Sequence, residues 1–493
     1  MLEKNRKNKD LYIAGVLLLF SFIFIFFTSQ CSPFFGYNEW CDPHIYFSMG
    51  KGAFNGQVLY RDIFDHKGPL IFFIFGIGYL ISSSDLFGVY ILESIVLFVS
   101  LLFAYKTAKL FVDSKLSFTI SLLFALIFSH KSEMGGSADE FITPCLVVSF
   151  FYFVSYFRTN NKNLININKH LFIHGLMFSI AFFIKFSACA FWLPLFIAII
   201  YDLFKDKEYK KLFKAALYAA LGFLIITIPI LIYFIANSAF SDFYWGYFEF
   251  NLLYTGSNSS LSLIFKNIAS RLSHSVVFDY KFVLVIAWSL FITLFSKKYI
   301  PNIIYRISIF ISFLLTYLLI VIGPYDLVYA YIILSVYSII GFIALFDIID
   351  RKVIKAINPK VCYILSFVLI LSIGVFNKKL FNRDLDCILR EDKCNPIQRD
   401  FAEIIKKEPD ATVINLDLDI GILTYANVVP VHKYFFHPCI PTTAFPEIRN
   451  SQINLIKNKD PMFVVSPFLD FPYLQENYNL IKEYEPYYLF ERK

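Results

Sequence analysis

Charge is scarce in this chain of 493 residues. Asp, Glu, Lys and Arg make up 17% of it, against about a quarter of a soluble domain. With 57% hydrophobic residues and 60 phenylalanines, that scarcity excludes a water-facing globular surface over most of the length. Cysteine is sparse as well, with eight in the whole chain, and no pair has zinc-site spacing. Neither a Walker loop nor a GxGxxG fingerprint is found, so the usual nucleotide cradles are missing. Internal repeats and low-complexity linkers are absent. No small-residue cleavage site follows the first apolar run, which therefore reads as an anchor and not as a removed signal peptide. The formal charge of +7 does not point to nucleic acid, because the basic residues fall in short clusters between apolar runs, the pattern that orients a chain in a bilayer.

What fills the chain is apolar runs, and a helix needs ~20 mostly apolar residues to cross hydrocarbon. Leu11 to Thr28 is the first such run, with Lys4, Arg6, Lys7 and Lys9 ahead of it. These cations place the N-terminus in the cytoplasm and send the next loop outside. Leu70 to Ser84 is short for a span and is expected to lie in the outer interface. Ten further spans are then expected over Leu86–Tyr105, Leu116–Ser129, Phe141–Phe157, Leu171–Ile184, Ala188–Phe204, Phe213–Ala236, Tyr280–Phe295, Ile307–Ile322, Leu327–Phe346 and Val361–Phe376. Every later basic cluster, from Lys106 and Lys109 to Arg351 and Lys360, lands inside. The reading is an α-helical polytopic membrane protein with about eleven transmembrane helices over residues 1–376, whose first external loop spans 30–85, and a small extracytoplasmic α/β domain over 377–493.

The tail holds short apolar runs, Ala411–Leu416 and Met462–Ser466, between helical-looking stretches Ile397–Lys407 and Glu447–Lys457, an alternation that suggests α/β structure. The stretch from Asn237 to Asp279 reads as a second external loop, with Tyr244, Trp245, Tyr247 and Tyr254 favoured as an interface belt over a sugar platform. Cys31 and Cys41, and Cys387 and Cys394, are close enough in sequence for two local disulfides, and spacing leaves both open. Cys439 is left over, and Cys145, Cys189 and Cys362 fall in spans as packing residues.

Chemistry requires charges at the outer face. The first loop supplies Glu39, Asp42, Lys51, Arg61, Asp62, Asp65, His66 and Lys67; the loop before the fourth span supplies Lys131, Glu133, Asp139 and Glu140. Lys185 falls between two spans, where a cation at bilayer depth is expensive and marks function. Acids and bases from three segments thus share one surface. A carboxylate there can take a proton from an acceptor hydroxyl while cations hold a departing lipid-borne phosphate. Sugar transfer from a polyprenyl phosphate fits, with a flippase or transporter that breaks no bond as the alternative; a transporter would favour inverted repeats and broken helices at midplane.

The block DPHIYFSMGKGAFNGQVLYRDIFDHKGPL, Asp42 to Leu70, resembles the first-loop signature of bacterial GT-C membrane glycosyltransferases of the family 39 type, related to protein O-mannosyltransferases and the aminoarabinose transferase of lipid A. GGSADEF (Gly135–Phe141), AFFIKF (Ala181–Phe186) and, more weakly, TYANVVPVHKYFF (Thr424–Phe436) are similar to further family segments. The resemblance implies Asp42 as catalytic base, Lys67 and Lys185, with Arg61, as partners of the donor phosphate, and Asp139 and Glu140, with Asp65 and His66, as supports of the acceptor or of a metal. It implies a polyprenyl-phosphate sugar as donor and a glycan, lipid or protein of the bacterial envelope as acceptor. A divalent cation is left open, since carboxylates near phosphate serve with or without one. The chain departs from the family at Gly323–Asp326, where a His-Tyr pair is common, and in pairing Asp with Glu where two Glu are usual. Each residue also has a plainer role: Asp42 as a helix cap ahead of Pro43, Glu39 as a solvated charge, Lys185 as a cation snorkelling to headgroups, Asp139 and Glu140 as first-turn acids.

Overall fold

The computed structural model describes residues 2–132, 134–159, 165–254, 261–323, 326–349, 358–376, 396–438, 440 and 445–493. Helices dominate, beginning with α1 (Leu2–Thr28), α2 (Cys41–Phe54), α3 (Pro69–Ile81), α4 (Phe87–Ala108), α5 (Ser114–Ser132), α6 (Ala138–Arg158), α7 (Ile167–Ile184), α8 (Trp192–Lys205) and α9 (Tyr209–Ala236). Among the described residues, nine helices are long and apolar enough to cross a bilayer, and a bent pair, Phe265–Val277 with Tyr280–Phe295, would make ten. The expected eleven differ from these ten by α5 alone. It has the length of a span but is rich in serine and carries Lys115 and Lys131 near its ends, so it is less apolar than the nine, and its neighbours bury most of it. At 13 residues, α3 reaches about 20 Å, short of the ~30 Å hydrocarbon core.

Where a loop was expected over 237–279, the described residues form helices: Phe240–Tyr244, a π-helical turn Trp245–Glu249, Phe250–Tyr254 and Leu261–Phe278. Of the four aromatics expected at an interface belt, Tyr244 is exposed, whereas two turn inward. Tyr247 is buried with its hydroxyl on the Phe182 carbonyl, and the Trp245 ring packs 5.3 Å from that of Phe64. These rings close over the first loop because burying a large aromatic against other rings outweighs leaving it at the surface. The side chain of Tyr254 lies outside the described residues, as do Glu133, Cys387, Cys394 and Cys439.

The tail contains a four-stranded sheet in the order β1 (Val413–Asn415), β2 (Phe463–Ser466), β4 (Tyr487–Arg492), β3 (Tyr478–Tyr484). β1 and β2 run parallel with Val413 opposite Phe463, and β4 joins β2 antiparallel with Phe490 opposite Val464. The two expected helices are present at Ile397–Ile405 and Pro446–Lys457. One continuous apolar core runs from α1 through the first loop into Ile422, Leu423 and Phe435 of the tail.

That continuity rests on α2. Its residues 44, 48 and 51 recur at helical spacing along one face and all meet the tail: His44 Nδ1 lies 3.0 Å from Thr424 Oγ1, Ser48 donates to Asp419 (3.3 Å), and Lys51 Nζ donates to Asn427 Oδ1 (2.8 Å). Thr424 and Asn427 belong to the TYANVVPVHKYFF segment, whose Lys433 carbonyl also accepts from Phe64 N at 2.9 Å. Its work in this fold is to seat the tail on the first loop.

Candidate active site

With one face of α2 committed to the tail, the other carries Asp42. The helix begins at Cys41 with Trp40 as its cap, so Asp42 lies in the first turn and is not the capping residue. It is half-buried, and Tyr46, one turn on and fully buried, donates its hydroxyl to Asp42 Oδ2 at 2.8 Å. Burial, reinforced by the Asp42 charge, pushes the Tyr46 phenol well up, which keeps it a donor. Cys41 and Cys31 are both free thiols, which settles one of the two open pairings: Cys31 is wedged beside Gly136 and Asn38, while Cys41 faces Asp42.

Asp65, His66 and Lys67 form a line of polar groups behind Asp42. His66 Nδ1 is 3.1 Å from Asp65 Oδ1, and Lys67 Nζ is 3.2 Å from His66 Nε2. The tautomer that satisfies both carries its proton on Nδ1, leaving Nε2 to accept from the ammonium. Burial and the Lys67 charge lower the His66 pKa, so the ring is neutral at pH 7. Burial alone would lower Lys67, yet Asp42, Asp65 and Asp139 together raise it, so the ammonium keeps its charge. Gly68 is required by position: its amide donates to the Ile184 carbonyl at 3.0 Å, and a Cβ there would collide with the Phe183 carbonyl. This close approach sets Lys67 beside the end of α7.

At that end the helix breaks. Lys185 takes an extended conformation between α7 and a 3-10 turn, Phe186–Phe191, that leads into α8. Its Nζ lies 2.9 Å from both oxygens of Asp139, which is fully buried in the first turn of α6. Asp139 thereby engages the ammonium with both of its carboxylate oxygens. Glu140, the next residue, turns elsewhere. It accepts from Gly136 N at 2.9 Å, shares that amide with Glu93 of α4 (2.6 Å), and hydrogen bonds to Glu93 itself. Ser29 closes the set by donating to Glu93 at 2.8 Å. Gly136 holds φ +82°, a left-handed conformation natural to glycine.

Asp42, Asp65, His66, Lys67, Asp139 and Lys185, drawn from the first loop, α6 and the α7 break, are therefore linked through Lys67 and Asp139 into one set of charges. The comparisons bear on what such a cluster belongs to. The family model described as dolichyl-phosphate-mannose-protein mannosyltransferase matches residues 66–233, about a third of the chain, from His66 past Lys185. Among solved structures, ArnT from Cupriavidus metallidurans bound to undecaprenyl phosphate superposes with a TM-score of 0.63 at 12% identity, covering 97% of both chains. The archaeal oligosaccharyltransferase AglB from Archaeoglobus fulgidus, in complex with an inhibitory peptide and a dolichol-phosphate, gives 0.52 at 11%, covering 94% of this chain and 69% of that one. The chain has the GT-C glycosyltransferase fold. Comparison with curated proteins gave no match.

Not every expected residue joins the cluster. Arg61 is exposed, ion-paired to Asp62 at 2.8 Å and donating to the Asn237 carbonyl. Glu140 belongs with Glu93. Lys131 is paired with Asp279, and Asp326 lies near Tyr331 and His274. Conversely, the sequence reading passed over Tyr46, Glu93 and Asn251, which donates to the His66 carbonyl at 2.6 Å. Tyr46 carried a signal, four residues from Asp42 on a helix. Glu93 carried one too, as an acid within the apolar run of α4. Among the described residues no group of three or more His, Cys, Asp or Glu is placed to hold a metal ion.

Proposed function

We propose that this protein moves a sugar from a polyprenyl-phosphate donor to an acceptor hydroxyl on the extracytoplasmic face of a bacterial plasma membrane, with inversion at the anomeric carbon. The observation that carries the reading is that Lys67 feels both the half-buried carboxylate Asp42 and Asp139, the acid that holds Lys185 at the break of α7. In the displacement, Asp42 accepts the proton of the acceptor hydroxyl, its oxygen forms the new bond to the anomeric carbon, and the bond from that carbon to the phosphate oxygen breaks with its electron pair. Lys67 and Lys185 neutralise the polyprenyl phosphate that leaves. Asp139 holds Lys185 in place, and the Asp65–His66 line does the same for Lys67. ArnT bound to undecaprenyl phosphate supplies a precedent for the lipid phosphate on this fold. The first-loop orientation deduced from the basic clusters puts the site outside.

Proteoliposomes loaded with labelled donor test the proposal. Wild-type protein is expected to move sugar onto acceptor, and Asp42→Asn to insert normally but lose ~10²–10⁴ in rate, the usual cost of removing a positioned base. Normal turnover in that variant would refute the role of Asp42. Lipid translocated without bond cleavage would instead support a flippase.

A further inference from the structure

We propose that the cleft between the first loop and the tail helix Ile397–Ile405 binds a neutral carbohydrate chain, the sugar portion of the acceptor. The inference deepens the glycosyltransferase reading and rests on it. The cleft encloses about 440 Å³, within the roughly 300–1,000 Å³ of small-molecule sites. None of the six clustered residues around Asp42 lines it, so it is a separate place.

Its lining is chemically mixed. Asp85 and Glu403 are acids, Arg399 and Lys406 bases, Gln30 a planar amide and Tyr37 a half-buried ring, while Phe35, Leu86 and Phe87 add apolar surface. Two charges of each sign beside apolar faces suit a ligand that offers many hydroxyls, apolar ring faces and no net charge. A lipid chain would leave those four charges facing hydrocarbon, and a polyanion would meet two of its own sign. The walls are fixed before any ligand arrives: Arg399 donates to the Gly36 carbonyl (2.6 Å), the Asn38 amide to the Tyr425 hydroxyl (2.8 Å), and the Glu39 amide to Gln30 Oε1 (3.0 Å). A preformed site spares the ligand the cost of ordering it.

The cleft also lies in reach of Asp42. Tyr37 and Asp42 are five residues apart, which even a fully extended backbone limits to about 18 Å, so a chain of a few sugar units spans the gap. Between them Trp40 packs its ring 4.8 Å from that of Tyr329, and Tyr329 is close enough to Tyr46, the partner of Asp42, to act on it electrostatically. Aromatic rings along such a path are the usual apolar platform for sugar faces.

The test is an array of neutral oligosaccharides of graded length, with heparin fragments as the anionic arm, probed with the full chain in detergent. The wild type is expected to bind neutral oligosaccharides. Tyr37→Ala and Lys406→Ala should each weaken binding about tenfold, and Lys406 is exposed, so its loss leaves folding intact. Binding confined to heparin, binding indifferent to both cleft variants, or no binding to any neutral oligosaccharide overturns the proposal. Sugar transfer in proteoliposomes alongside a silent array sinks the cleft alone, whereas neutral glycan binding without any transfer sinks the enzyme reading alone.

Discussion

Asp139 and Glu140 are adjacent in sequence and live in opposite surroundings. Asp139 meets an ammonium with both oxygens, while Glu140 meets another acid across a glycine amide. One step along a helix rotates a side chain by about 100°, and in a crowded bundle that is enough to change neighbours entirely. An acidic pair read in sequence is thus two sites: one is balanced by opposite charge and opens on the candidate active site, the other is held by hydrogen bonds at the junction of α1, α4 and α6.

The contrast can be broken from its charged side first. Lys185→Met leaves Asp139 buried without a cation, and stranding one partner of such a pair costs about 3–5 kcal/mol. The variant should melt well below wild type in detergent and lose transfer; Lys185→Met with Asp139→Asn should recover much of the melting temperature but not the activity. Equal melting of single and double variants would show that the pair carries no such energy.

The hydrogen-bonded side should respond far less. Glu140→Gln keeps an acceptor for the Gly136 amide and adds a donor toward Glu93, so stability should move by no more than about 1 kcal/mol, with transfer retained. A loss of transfer matching that of Asp139→Asn would erase the difference between the two acids and return Glu140 to the site.

These contrasts mark what the sequence discloses and what it hides. Span positions were legible because twenty apolar residues have few other uses, and each expected span falls on a helix. The convergence of Asp42, Lys67, Asp139 and Lys185 was legible because charges within an oily chain must gather somewhere. Rotation about a helix was not: separating Glu140 from Asp139 needs the position of Glu93, which is set by the packing of α4 on α6. Nor was the fate of Arg61, whose partner Asp62 is its neighbour in sequence and whose second contact, Asn237, is remote. The hairpin β3–β4 escaped notice because β3 is largely exposed and shows no buried alternation to read.

Within the charged site, Lys67 sharpens the comparison further. Its ammonium has His66 as a neutral partner and no carboxylate within ion-pair distance among the described residues, so Lys67→Ala strands no buried charge at close contact. Its effect should appear as a rise of about tenfold or more in the donor concentration needed for half-maximal transfer, in line with a lost hydrogen bond to a charged group. An unchanged donor response would remove Lys67 from the phosphate.

The smallest effect concerns the far face of α2, where Lys51 and Asp419 are buried between the first loop and the tail. Burial pushes Asp419 up from 3.8 to about 6 and Lys51 down from 10.5 to about 7. For Asp419, whose folded value is raised, the stabilising contribution is complete below pH 3.8 and fades as pH rises through about 6. For Lys51, whose folded value is depressed, it is complete above pH 10.5 and fades as pH falls through about 7. Lys51 should therefore make the seat of the tail firmer as pH rises from about 7 toward 10.5. On the acid side the gain from Asp419 is opposed by His44 on the same face of α2, which burial pushes down from 6.5 to about 4, so that its contribution is complete above pH 6.5 and fades as pH falls through about 4. Melting temperature measured against pH should rise on the alkaline side and change little on the acid side; Lys51→Met should remove the alkaline rise, and a rise that survives that substitution would place the pH response outside this contact.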